Sequence, residues 1–106
     1  MKLGIILETK EAEKAWNAFR LALTALEGDH EVRFFLMGEA VECESINQGK
    51  FDVAAKMQQF QENGGELLAC GTCLKSRQKD DFTSCPISTM QDCLQLIIWA
   101  DKVVTF

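Results

Sequence analysis

The chain has 106 residues, too few for two ordinary domains, and its 47% hydrophobic and 25% charged content is that of a globular fold. A single domain over residues 1–106 is therefore expected, large enough to bury roughly 65% of its unfolded surface and to fold without disulfide or metal staples. Sixteen acidic against 11 basic residues give a formal charge of −5, and the one basic cluster (Lys75, Arg77, Lys79) runs straight into Asp80 and Asp81; binding nucleic acid needs a basic face, so nucleic acid is set aside as a partner.

Residues 1–8 carry one Lys and an apolar run too short for the core of a signal peptide. No stretch approaches the roughly 20 apolar residues of a membrane span, so a cytoplasmic protein with no membrane partner is expected. Residues 3–7 read instead as a strand covered on both faces. Ala12, Ala15, Trp16, Phe19, Ala22, Leu23 and Leu26 follow at spacings of three and four, one helical stripe ended by Gly28. Residues 32–37 form a second apolar strand closed by Gly38. A short helix is expected over residues 40–45 and a longer one over 52–63, presenting Val53, Met57 and Phe60 and stopping at Gly64-Gly65. Residues 66–70 are a third strand, and 83–87 a brief fourth. Ser88-Thr89-Met90-Gln91 fits a capping box, and the helix it opens sets Met90, Cys93, Leu94, Ile97 and Ile98 on one face, expected to turn inward. Residues 103–106 make the last strand. Strands alternating with helices predict an α/β fold of three layers, helix, sheet, helix, around a mostly parallel sheet of about five strands.

In such sheets reactive groups gather beyond the carboxyl ends of the strands. Cys70-Gly71-Thr72-Cys73 falls on that edge. Cys70 ends a strand, Gly71 permits a tight turn, and a helix starting near Thr72 would favour a thiolate, with Lys75 and Arg77 adding positive charge. That matters because an ordinary thiol, with a pKa of about 8.5, is only a few per cent ionised at neutral pH. Cys70 thus reads as a nucleophile or sulfur carrier, against the plainer reading of a small buried hydrophobe. Cys73 is a resolving thiol or a packing residue. Cys93 lies on the apolar stripe of the last helix and reads as core. Cys85 joins the same edge only if residues 83–87 line it, and Cys43 has no partner motif.

Five cysteines in a reducing compartment are not a disulfide framework. A zinc site from Cys70, Cys73, Cys85 and Cys93 is disfavoured because there is no second CxxC and the core claims Cys93. No metal and no cofactor are expected. His30, the single histidine, precedes the second strand and reads as a loop residue. Trp16, Phe19, Trp99 and Phe106 lie on core patterns.

Phe35-Leu36-Met37-Gly38-Glu39-Ala40-Val41, Ala69-Cys70-Gly71-Thr72-Cys73-Leu74-Lys75, Ser88-Thr89-Met90 and Ala100-Asp101-Lys102-Val103-Val104-Thr105-Phe106 stand in this order over nearly the full chain. Together they resemble the DsrE/DsrF-like family, with its TusD- and YchN-like sulfur-relay members. The resemblance implies a five-stranded flavodoxin-like sheet without flavin, assembly into a homo-oligomer (trimer or hexamer), and handling of sulfane sulfur as a cysteine persulfide. It also implies that Cys70, at the end of the third strand, accepts sulfur from a protein donor and passes it to an acceptor thiol, a sulfurtransferase-like role. Gln78 departs from the pattern, standing where relatives often carry Gly after the basic residue. The alternative is a non-catalytic oligomeric scaffold or regulatory subunit whose cysteines are structural.

Overall fold

Strand β1 (Lys2–Leu7) buries every residue after the first, as a continuous apolar run does when both faces are covered. The structure, a computed structural model, describes residues 1–78 and 85–106, apart from the side chain of Gln48. Helix α1 (Ala12–Glu27) starts where the Glu11 carboxylate accepts from the amides of Glu13 and Lys14, and it buries Ala15, Ala18, Phe19, Ala22 and Ala25. It stops at Gly28, although the left-handed turn that follows falls on Asp29, at φ 63°. Strand β2 (Glu31–Leu36) leads into the expected short helix, which is of the 3₁₀ type and spans Gly38–Ser45. A hairpin of two-residue strands, β3 (Asn47–Gln48) and β4 (Phe51–Asp52), comes next and was not foreseen; strands this short carry no alternation to read. Helix α2 (Val53–Glu62), capped by Asp52, buries the expected Val53, Met57 and Phe60.

Strand β5 (Glu66–Cys70) runs directly into α3 (Gly71–Ser76). Strand β6 (Ile87–Ser88) is shorter and later than the expected 83–87 segment, of which residues 83 and 84 lie outside the described residues. Helix α4 (Met90–Trp99) and β7 (Lys102–Thr105) complete the sequence of elements.

The five-stranded sheet is parallel throughout, in the order β6-β5-β2-β1-β7. Counted along the chain that is 4-3-2-1-5, so the layered αβα architecture is present with a strand order other than the 2-1-3-4-5 of flavodoxin. The order decides which face each helix covers. From β1 to β2 to β5 the chain steps in one direction, and right-handed crossovers put α1 and α2 on the same face. There Phe19 stacks on Phe34 at 4.2 Å between ring centres, with Phe60 edge-on to both. The return from β6 to β7 steps the other way and puts α4 on the opposite face.

Among the described residues that second face has one helix to cover it. Its buried cluster is small: Ile6, Phe35, Cys70, Cys93 and Leu96. The expectation that Met90, Leu94, Ile97 and Ile98 turn inward with Cys93 is overturned. All four are exposed, Ile98 by 65%, while Cys93 and Leu96 alone on α4 are buried. A lone helix on a sheet can bury only the narrow stripe that touches the strands, and α4 is apolar around more of its circumference than that. The cap also lies one residue later than read: Thr89 and Asp92 form the reciprocal box, because Ser88 is taken up by β6 opposite Cys70. Among the described residues no helix is long and apolar enough to cross a membrane.

Candidate functional site

The carboxyl edge of the sheet brings together the ends of β2 and β5, which are neighbours with Leu36 opposite Ala69. Cys70 is the last residue of β5 and the residue before α3, so its side chain hangs at this edge. It is only 2% exposed, enclosed by the Ile6, Phe35, Cys93 and Leu96 cluster beneath α4. Gly71, the first residue of α3, is needed for close approach: a Cβ there would stand 2.9 Å from Ile87 Cγ2 and 3.3 Å from the Ser88 carbonyl oxygen, holding β6 off the site.

Cys73 sits one turn into α3 and is half-buried, packed against the clusters on both faces of the sheet. Its Sγ accepts a hydrogen bond from the backbone N–H of Gly38 at 3.2 Å, and its side chain packs against the cluster that holds Cys70. Gly38 leaves β2 in the left-handed region, at φ 59°, with the Glu8 carbonyl 3.3 Å from where a Cβ would be. Any other residue there would be strained. Sequence reading saw Gly38 only as the end of a strand.

The positive charge expected around Cys70 is arranged differently. Arg77 turns to Glu42 of the 3₁₀ helix (Nε to Oε2, 3.0 Å) and donates to the Cys73 carbonyl at 3.2 Å. Lys10 also approaches Glu42, at 3.7 Å, and Lys75 is exposed. These contacts tie α3 to the 3₁₀ helix more than they bathe a thiolate. Burial pushes the Cys73 thiol above its ordinary pKa; the Gly38 amide opposes this, the nearness of Cys70 adds to it, and Arg77 pulls it back, with a net rise. Gln78, just past α3, takes φ 53°, the left-handed conformation a glycine would adopt without strain.

Cys93 enters the site although its spacing marked it as core. Burial, and then the proximity of Cys70, raise its pKa. The signal was present: Cys93 lies in the first turns after the Thr89 cap, and helix N-termini in a parallel sheet return to the carboxyl edge. Cys85 is drawn elsewhere. It packs against the cluster on the α1 and α2 face and is pushed up to about 12 by burial, with the charge of Glu44 adding to it. Cys43 is buried in that same core. None of the five cysteines is in a disulfide. Among the described residues no three His, Cys, Asp or Glu side chains converge as a metal-holding group. His30 stands at the opposite end of the sheet, its Nδ1 3.0 Å from the Met1 nitrogen.

The fold is similar to that of a conserved protein of unknown function from Bacteroides thetaiotaomicron, with a TM-score of 0.82 at 16% identity over 99% of this chain and 94% of that one. In sequence the chain is 33% identical, over 89% of its length, to an uncharacterized protein of Methanopyrus kandleri, covering 83% of that relative. A second uncharacterized protein, from Methanocaldococcus jannaschii, is 32% identical over 89% of this chain and 88% of its own. The model of the DsrE/DsrF-like family matches residues 1–106, and the chain belongs to that family.

Proposed function

We propose that the protein is a sulfur-relay carrier that holds sulfane sulfur as a persulfide on Cys70 and passes it between partner thiols. The family suggests sulfur relay. The observation that carries the residue-level reading is the thiol pair itself, a 2% exposed Cys70 with a half-buried Cys73 packed against its cluster at the carboxyl edge of a parallel sheet. A persulfide is lost to any free thiol that reaches its terminal sulfur, so a carrier needs a sheltered sulfur beside an opening. The carrier acts as a homo-oligomer in the cytoplasm. Its assembly face is the outward side of α4, where Met90, Leu94, Ile97 and Ile98 are exposed and none carries a charge. A two-fold interface sets one patch against its own copy, which an uncharged apolar patch permits and a charged one opposes.

The burial of Cys70 also favours a second reading, in which the cysteines are structural and the protein is a scaffold or regulatory subunit. One experiment separates the two. The full chain is incubated with inorganic polysulfide, washed briefly with glutathione, alkylated and mapped by mass spectrometry. A carrier keeps an added mass of about 32 Da, one sulfur atom, on Cys70. Cys70→Ser, with its circular dichroism unchanged, keeps none. Sulfur retained mainly on Cys43 or Cys93 would overturn the assignment, and uptake by none of them would favour the scaffold.

A further inference from the structure

We infer that sulfur enters and leaves through Cys73, and that Cys70 is loaded by an internal transfer from it. The inference rests on the carrier reading and assigns Cys73 a catalytic role of its own. Cys70 is enclosed by Ile6, Phe35, Cys93 and Leu96 and is 2% exposed, so a donor's persulfide cannot line up with its sulfur without parting α4 from the sheet. Cys73 is half-buried, packs against the cluster that encloses Cys70, and receives the Gly38 amide on its sulfur. It is therefore the sulfur that an outside thiol meets first, and Cys70 is the next sulfur inward.

The Gly38 N–H also has a chemical use. It points at the atom that becomes an anion each time an S–S bond to Cys73 breaks, as a fixed backbone donor does for other developing charges.

The steps balance without oxidant or reductant. Cys73, as thiolate, attacks the terminal sulfur of the donor persulfide; the new bond joins Cys73 Sγ to that sulfur, the donor S–S bond breaks, and the donor leaves as its thiolate. Cys70 then attacks the same terminal sulfur. The bond to Cys70 Sγ forms as the bond to Cys73 Sγ breaks, and the proton of Cys70 ends on the released Cys73 sulfur. The sulfane sulfur changes partner and keeps its oxidation state. Release runs the two steps backwards onto an acceptor thiolate.

Time-resolved loading of the full chain with glutathione persulfide tests this, quenching with iodoacetamide and locating the added sulfur by peptide fragmentation. In the unaltered protein sulfur is expected on Cys73 first and on Cys70 later. Cys73→Ser slows the loading of Cys70 by about tenfold or more, the order expected when an exchange loses its accessible thiol. Cys70→Ser leaves sulfur on Cys73, where a glutathione wash strips it. Loading of Cys70 before Cys73, or at an unchanged rate in Cys73→Ser, would overturn the entry role and leave the carrier intact. Sulfur on neither cysteine of the unaltered protein would remove the carrier reading and this inference together. The order of loading needs no variant, so a Cys73→Ser protein that failed to fold would not block the test.

Discussion

A thiol attacks only as its thiolate, so the proton on Cys73 governs how quickly this site reacts with anything outside it. Its pKa is raised chiefly by burial, so at neutral pH the thiol form dominates and each step upward in pH increases the reactive fraction. Alkylation of Cys73 by iodoacetamide is expected to accelerate through and beyond the ordinary thiol range. The groups facing it are Cys70 from β5, the Gly38 amide, and Arg77, itself tied to Glu42. Arg77 is the cation that lowers the value, so Arg77→Gln should move the profile to still higher pH, and a profile unmoved or shifted down would contradict this assignment. Gln78 offers a test of a different kind. Its left-handed φ of 53° costs roughly 1–2 kcal/mol, while a glycine there would give back about 0.5–1 kcal/mol through the freer unfolded chain. Gln78→Gly should therefore raise stability by up to about 1.5 kcal/mol in urea unfolding. That position was legible as a departure from the family pattern, but its backbone angle was not.

Helix α4 joins the site to the rest of the second face. Its start depends on Thr89 and Asp92: the Asp92 carboxylate accepts from the Thr89 amide at 2.8 Å, and the Thr89 hydroxyl oxygen accepts from the Asp92 amide at 3.3 Å. Thr89→Ala should cost about 1 kcal/mol, read by chemical denaturation. Since Cys93 follows in the first turns and covers Cys70, the same variant should also make Cys70 alkylate faster while Cys85, on the other face, stays slow. The sequence showed that a helix begins here but not at which residue, because Ser88 and Thr89 each head an acceptable box. The parallel ladder settled it by pairing Ser88 with Cys70. The hairpin after the 3₁₀ helix was harder to read still, since two-residue strands are too short to show a period.

For the whole molecule, the single return crossover leaves a face of α4 uncovered, with Leu94 53% and Ile97 44% exposed. If that face joins copies of the chain, Leu94→Glu should reduce the mass seen by light scattering to that of the monomer while leaving circular dichroism unchanged; an assembly that survived the substitution would place the interface elsewhere. The alternation of apolar strands with striped helices was enough to determine the αβα layers, since each pattern can bury its apolar side in only a few ways. The same alternation put Cys70 and Cys73 at the carboxyl edge, because a strand that runs into a helix must turn there. Periodicity shows that a helix has an apolar side but not whether anything lies against it. Only the strand order 4-3-2-1-5 decided that α4 stands alone, that its Met90, Leu94, Ile97 and Ile98 face outward, and that Cys93 closes over Cys70. The Gly38 amide reached Cys73 for the same reason: β2 and β5 become neighbours only when the sheet is assembled, and residues 35 positions apart meet there.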